Sequence, residues 1–118
     1  MPFDPDDLYT WPRSRTKIID ALAQDAINPR KRQPVATGVL AYFPDAILEV
    51  ARVSEAGNRQ HGTVGWDRTK STDEFDALTR HLIDHLRGNL KDSDGQLHLA
   101  KAAWRALAAL QRHMDSVK

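Results

Sequence analysis

Apolar residues recur at intervals of three and four positions along most of this chain, and this spacing constrains the fold more than any other feature. A helix turns by about 100° per residue, so side chains with this spacing share one face. The segments that show it are 13–26, 44–56, 71–88 and 93–114. Strand-like content is confined to the short stretch PVATGVLAYF. We therefore predict an all-α fold, a compact bundle of about four helices with an extended N-terminal arm.

Residues with strong preferences for helix ends mark the predicted boundaries. Pro44 is tolerated in a first helical turn, and Gly57 is suited to the end of the same helix. The third and fourth helices each begin with a capping box, in which a serine is followed three residues later by Glu or Gln. The two boxes are Ser71 with Glu74 and Ser93 with Gln96. Gly88 predicts the end of the third helix.

Length and composition limit the classes of protein that this chain can belong to. Residues 1–12 contain three prolines and are predicted to form the arm, which leaves residues 13–118 as a single helical domain. The chain has no cysteine, which excludes disulfides and thiolate metal sites and favours the cytoplasm. No apolar run approaches the ~20 residues of a membrane span. The net charge of +1 argues against a nucleic-acid partner, because phosphate neutralisation needs a basic surface.

Three polar side chains lie at the edges of the predicted apolar faces, and they are Glu49, His81 and His98. If their helices converge, these residues could form a metal or phosphate site inside the bundle. From the residues alone, the structural interpretation carries more weight, because a boundary histidine is more often a partly buried side chain with an ordinary hydrogen bond. His85 follows His81 at the spacing of a helical metal pair, but the glutamate of an HExxH motif is missing.

Three stretches in a fixed order resemble one known family. PDAILEVARVSEAGNRQHGTVGW resembles the pattern Pro-x-x-Ala-Leu-x-x-Val-Ala-x-Val followed by a Tyr-Gly loop and Trp. FDALTRHLIDHLRG resembles an Asp-Ala-Leu-x-Arg-His-Leu segment that ends in Gly. DSDGQLHLAKAAWRALAAL resembles an acidic turn followed by His-Leu-Ala-x-Ala-Ala. Together, over residues 44–110, they resemble the dATP/dGTP diphosphohydrolase N-terminal domain family, which occurs mostly in phage proteins and is related in outline to MazG-type all-α pyrophosphohydrolases.

The resemblance implies an enzyme that hydrolyses a purine deoxynucleoside triphosphate, dGTP or dATP, to the monophosphate and pyrophosphate with the help of Mg²⁺ or Mn²⁺. The positions that match the family's histidines, and would bind a metal, a phosphate or the attacking water, are His81 and His98. The matching acidic positions, which would bind the metal, are Glu49, Asp92 and Asp94. On charge and position alone, Arg80 and Lys101 are added as phosphate contacts. Trp66 could stack on the base, although a core position suits it better.

Departures from the family pattern leave a second hypothesis open. The loop motif Lys-Tyr-Gly reads Gln60-His61-Gly62 here, and Arg52 stands where the MazG-type group has the second acid of a Glu-x-x-Glu pair. Either histidines replace carboxylates in this branch, or the chain is a catalytically inactive helical module of a phage or prophage particle. Such a module would dock onto another phage protein through its N-terminal arm, and would then belong to a virion. The shallow predicted core also implies at least a homodimer.

Overall fold

The computed structural model describes residues 28–69 and 72–118, and the described part of the chain is helical apart from its turns and loops. Its three α-helices are α1, Pro44–His61, α2, Glu74–Leu86, and α3, His98–Ser116. A 3₁₀-helix, Pro29–Arg32, and a π-helix, Ala36–Leu40, precede them. The described residues form no β-strand, only an isolated antiparallel bridge between Lys91 and Leu97. The predicted all-α fold is confirmed, whereas the predicted arm and first helix lie outside the described residues.

Two compact units divide the described residues, with the boundary between Tyr42 and Phe43. In the first unit, the Asn28 side chain caps the 3₁₀-helix by accepting a hydrogen bond of 3.2 Å from the backbone N–H of Arg30. The following stretch, which has strand-like composition, contains the π-helix Ala36–Leu40. The second unit holds all three α-helices.

Helix α1 runs through Gly57 to His61, so the prediction that Gly57 ends it is wrong. A glycine inside a helix costs only about 1 kcal/mol relative to alanine, which does not break a helix that is otherwise favourable. The helix ends at Gly62, whose φ of 63° lies in the left-handed region. Glycine adopts this conformation without the steric penalty of a Cβ atom, so Gly62 is the better stop signal.

Helix α2 begins at Glu74, with Asp73 at the N-cap position and no side-chain cap hydrogen bond. Glu74 is therefore the first residue of the helix, whereas the capping box predicts it as the third. The prediction that the helix begins at Ser71 is wrong, although Ser71 itself lies outside the described residues. The predicted end is confirmed, because the helix stops at Leu86 and Gly88 has a φ of 88°.

The predicted start of the last helix near Ser93 is also wrong, because residues 91–97 form a tight turn. The backbone N–H of Asp92 donates to the carbonyl of Gln96 at 2.8 Å, and Gly95 adopts a φ of 82°. The carboxylates of Asp92 and Asp94 accept hydrogen bonds from the nearby backbone N–H groups of Ser93 and Gln96. These local bonds compete with a helix, so α3 begins only at His98.

Helix α3 packs against both α2 and α1 and is the centre of the second unit. The buried apolar side chains of the described residues are all small, and they are Ala77, Ala100, Ala102 and Ala108. Small side chains allow helices to approach closely, so polar side chains at the same interface come within bonding distance. In the described residues no single helix is long and apolar enough to cross a membrane.

Candidate functional site

Two histidines on different helices meet at the interface of α2 and α3. The Nδ1 atoms of His81 and His98 lie 2.9 Å apart, and the ring centroids are separated by 5.2 Å. Ala77 lies one turn before His81, and Ala102 lies one turn after His98, so these buried alanines share the faces that carry the histidines. The small alanine side chains therefore allow the two imidazole rings to come together.

His98 is almost completely buried, with 3% of its surface exposed. Its Nε2 atom is buried and has no hydrogen-bond partner among the described residues. A buried polar atom without a partner costs free energy, so a native structure retains one where something else binds it or where it has a function. This nitrogen therefore marks the site as one with an unused binding capacity.

Asp92 joins the two histidines from the turn before α3. One ligand atom from each of His81, Asp92 and His98 can be chosen so that all three lie within 4.8 Å of one another. Two imidazole nitrogens and one carboxylate oxygen at such distances can bind one divalent cation. No other group of three or more such side chains occurs in the described ranges, 28–69 and 72–118.

Lys101 binds the acidic residues of the turn. Its Nζ atom lies 2.8 Å from Asp92 Oδ2 and 2.8 Å from Asp94 Oδ2. The hydrogen bond from Lys101, with a second from the backbone of Ser93, lowers the pKa of Asp92 to about 2. Although burial acts to lower it, the pKa of Lys101 is raised by its hydrogen bonds to both carboxylates. The three groups are therefore all charged at neutral pH.

His81 differs from these groups because its environment favours the neutral form. Burial is the largest cause that lowers the pKa of His81, and the neighbouring His98 and Lys101 act in the same direction. A histidine with a lowered pKa is uncharged at neutral pH and keeps a lone pair on its ring. His81 can therefore bind a cation or accept a proton under these conditions.

A cavity of about 470 Å³ lies beside this cluster, between the end of α1, the loop that follows it and α3. Its lining includes Asn58, Trp66, Asp94, Lys101, Trp104 and Arg105. Because Lys101 lines the cavity and also forms an ion pair with Asp92 of the cluster, the two parts form one continuous site. Ligand pockets typically have volumes of about 300–1,000 Å³, so this cavity is large enough for a small organic ligand.

Trp66 borders this cavity within an aromatic and cationic group. Its ring meets Trp104 edge to face, with centroids 5.5 Å apart, and the Arg68 guanidinium lies 4.4 Å from the Trp66 ring centre. The Trp104 Nε1–H donates a hydrogen bond of 2.6 Å to Ser54 Oγ and so ties α3 to α1. Trp66 is therefore partly buried and still borders the space in which a ligand could bind.

Two of the predicted site residues have other partners. Glu49 forms an ion pair with Arg52 on its own helix, and the cluster of His81, Asp92 and His98 does not include it. Arg80 is largely exposed, and its ion pair is with Asp73 at 3.5 Å. The structure thus brings together the histidines, the acidic turn and Lys101, and it leaves Glu49 and Arg80 in separate ion pairs.

Sequence analysis overlooked two residues of this site. Asp84 has a carboxylate oxygen 3.8 Å from His98 Nδ1. Arg105 lines the cavity beside Lys101. Both follow a recognised candidate at helical spacing, since Asp84 lies three residues after His81 and Arg105 lies four residues after Lys101. That spacing was the signal that could have identified them.

Comparison with known proteins gives one match. The model of a family described as dATP/dGTP diphosphohydrolase, N-terminal, matches residues 25–118. The match therefore includes α1, α2 and α3, the acidic turn and all residues of the cluster. No curated protein and no solved structure matches the chain significantly.

Proposed function

This chain belongs to the dATP/dGTP diphosphohydrolase N-terminal domain family, and we propose that it hydrolyses purine deoxynucleoside triphosphates, dGTP or dATP, to the monophosphate and pyrophosphate. The single observation that carries this proposal is the convergence of His81, Asp92 and His98 beside a cavity that Lys101 also lines. A site of this kind combines cation ligands with a space for an anionic organic substrate.

The chemistry of the cluster fits a divalent metal ion. His81, His98 and Asp92 would hold it, and the unpartnered Nε2 of buried His98 supports a role for that residue beyond packing. Mg²⁺ prefers oxygen ligands, whereas Mn²⁺ is compatible with carboxylates and also accepts imidazole nitrogen. Of the two ions predicted, we therefore favour Mn²⁺. A bound divalent cation neutralises phosphate charge and lowers the pKa of a bound water.

The protein's own side chains would position the substrate. Lys101 and Arg105 supply positive charge on one side of the cavity, which suits the triphosphate. Trp66 and Trp104 supply aromatic surface on the same cavity, which suits a purine base. With its lowered pKa, neutral His81 keeps a ring nitrogen available to the cation or to a proton of the attacking water.

The test is pyrophosphate release from each of the four deoxynucleoside triphosphates with Mn²⁺ or Mg²⁺. The variants are His98→Gln, which keeps a polar side chain at the buried position, and His113→Gln, a control for an exposed histidine on the same helix. We expect turnover of dGTP or dATP that His98→Gln reduces by at least about 100-fold and His113→Gln leaves unchanged. No turnover by folded wild-type protein would overturn the proposal.

One observation favours the second candidate function, an inactive helical interaction module. Large apolar side chains of α2 and α3 are exposed in the described structure, among them Leu82, Ile83, Leu86, Leu107 and Leu110. The same turnover assay separates the two functions. Three further points stay predictions: docking onto a phage protein through the arm, a phage origin, and a homo-oligomer. The molecular mass in solution tests the homo-oligomer.

A further inference from the structure

Lys101 lies where the candidate cation site meets the cavity. Its ammonium group bridges Asp92, which belongs to the cation cluster, and Asp94, which lines the cavity. The Lys101 side chain is only 18% exposed, so its charge depends on these two carboxylates for compensation. One positive group therefore already binds the Asp92 carboxylate that a divalent cation could also bind.

We propose that Lys101 is an internal cation that a divalent metal ion displaces from Asp92, and that the released ammonium group then binds the substrate's phosphates in the cavity. This inference rests on the proposed function and adds a coupling between its two ligands. The metal ion and the nucleotide would both favour the same position of the Lys101 ammonium group, away from Asp92 and in the cavity.

Electrostatics requires the exchange if both cations use Asp92. Two positive charges beside one carboxylate repel each other strongly in a partly buried site, where water screens them little. Lysine has a flexible four-carbon side chain, so its ammonium group can turn away while the backbone stays in place. Asp94 offers a contact that Lys101 can keep as it turns, because this carboxylate lies on the cavity side.

The released ammonium group needs a new anionic partner, because a buried charge without one is costly. The cavity is the side to which it can turn, since Lys101 already lines it. Arg105, one helical turn further along α3, lines the same cavity. A triphosphate placed between Lys101 and Arg105 would compensate the positive charge of Lys101 once Asp92 binds the metal ion. Nucleotide binding should therefore strengthen metal binding, and metal binding should strengthen nucleotide binding.

The first experiment measures the binding of Mn²⁺ to the full chain without nucleotide. Binding is followed by the loss of the free Mn²⁺ signal in electron paramagnetic resonance. The variants are Lys101→Met, which removes the competing cation, and Lys91→Met, which removes an exposed lysine beside the same turn. We expect Lys101→Met to bind Mn²⁺ about tenfold more tightly, as loss of a competing charged hydrogen bond predicts. Lys91→Met should stay within about twofold of wild type, since the charge of an exposed lysine is screened by solvent and contributes little.

The second experiment measures the binding of the α,β-imido analogue of dGTP, which resists cleavage at the bond the enzyme would break. Binding is followed by quenching of tryptophan fluorescence at saturating Mn²⁺. We expect Lys101→Met to bind this analogue about tenfold more weakly, because a charged contact to phosphate is lost. Lys101→Arg, which keeps the positive charge, should restore wild-type Mn²⁺ affinity. A variant that only damaged the fold would weaken the binding of both ligands. Opposite changes in the affinities for Mn²⁺ and for the analogue therefore identify the exchange.

The outcomes separate this inference from the proposed function. If wild-type protein binds no Mn²⁺, the exchange is overturned, and the turnover assay with Mn²⁺ or Mg²⁺ decides the proposed function separately. If wild type binds Mn²⁺ and hydrolyses dGTP while Lys101→Met has unchanged or weaker Mn²⁺ affinity, only the exchange is overturned. Circular dichroism of each variant verifies that the helices are retained.

Discussion

The Nδ1 atoms of His81 and His98 lie 2.9 Å apart on two helices that pack through small side chains. At this distance the N–H of one ring donates a hydrogen bond to the nitrogen of the other, or both lone pairs face a shared cation. Two protonated rings would repel each other, and the charge of His98 is the second cause, after burial, that lowers the pKa of His81. The pair is therefore a place where protons and a metal ion compete.

This competition predicts the pH dependence of metal binding. Burial lowers the pKa of His81 below its ordinary value of 6.5, so more than half of His81 is neutral at pH 6.5 and protonation becomes dominant only at lower pH. Asp92, with a pKa of about 2, remains ionised over this range and cannot cause the loss. We expect Mn²⁺ affinity to be constant near neutral pH and to fall in acid, with a midpoint below 6.5. Mn²⁺ titrations between about pH 5 and pH 8 measure this, and a midpoint above 7 would contradict it.

The ion pair of Asp92 and Lys101 predicts a pH dependence of stability. The folded-state pKa of Asp92 is about 2 and its ordinary value is 3.8, so the unfolded chain binds a proton first as the pH falls. Its stabilising contribution is fully present above pH 3.8 and is lost as the pH falls from 3.8 towards 2. We expect Asp92→Asn to lower the free energy of unfolding by about 1 kcal/mol at neutral pH, allowing for solvent screening.

Urea denaturation of wild type and Asp92→Asn at neutral pH and at about pH 3 tests this linkage. The difference between the two proteins should shrink at the lower pH, because the carboxylate is by then largely protonated in the unfolded wild-type chain while it is still ionised in the folded one. An equal difference at both values would show that the ion pair does not account for the effect.

Gly57 offers a prediction about α1. An added Cβ atom at this position would meet no other atom within 4 Å, and the residue lies inside the helix. We therefore expect Gly57→Ala to raise the free energy of unfolding by about 1 kcal/mol, the difference in helix propensity. Gly62→Ala is the matched control and should lower it by about 1 kcal/mol, because its φ of 63° strains any residue with a Cβ atom. Urea denaturation measures both, and a destabilising Gly57→Ala would contradict the prediction.

The sequence predicts the helical class well because apolar spacing is a property of each segment by itself. The helix boundaries depend on competition between helical and turn hydrogen bonds, which the spacing of apolar residues does not show. Asp92 and Asp94 form local hydrogen bonds that delay the start of α3, and Gly57 remains helical because Gly62 offers a better stop. These two errors come from turn chemistry, since both boundaries lie at positions where the residue type alone allows a helix or a turn.

The site is predictable only in part, because contacts between helices depend on packing. The resemblance points to His81 and His98, but their meeting depends on Ala77 and Ala102, which bring α2 and α3 close together. The residue spacing within one helix shows neither this contact nor the distance of 3.8 Å between Asp84 and His98 Nδ1. The pairing of Lys101 with the acidic turn likewise depends on the fold of residues 91–97.

Glu74 is the clearest case of a residue whose role comes from packing, and it gives the last prediction. The capping-box pattern predicts a solvated helix end, yet Glu74 is only 3% exposed. Its Oε2 atom lies 3.2 Å from Arg112 Nε, and its Oε1 atom lies 3.8 Å from Arg105 Nη1. This carboxylate therefore ties the first residue of α2 to two arginines of α3, one of which lines the cavity.

Removing the charge of Glu74 leaves two partly buried arginines with less compensation, which is strongly destabilising. We expect Glu74→Gln to lower the free energy of unfolding by about 3 kcal/mol, measured by urea denaturation. Asp76→Asn is the matched control, because Asp76 lies in the same helical turn but is exposed, and it should change stability by less than about 0.5 kcal/mol. The double variant Glu74→Gln with Arg112→Met should be less destabilised than the sum of the two single changes, because each removes the same ion pair. Additive effects would show that Glu74 and Arg112 do not stabilise each other.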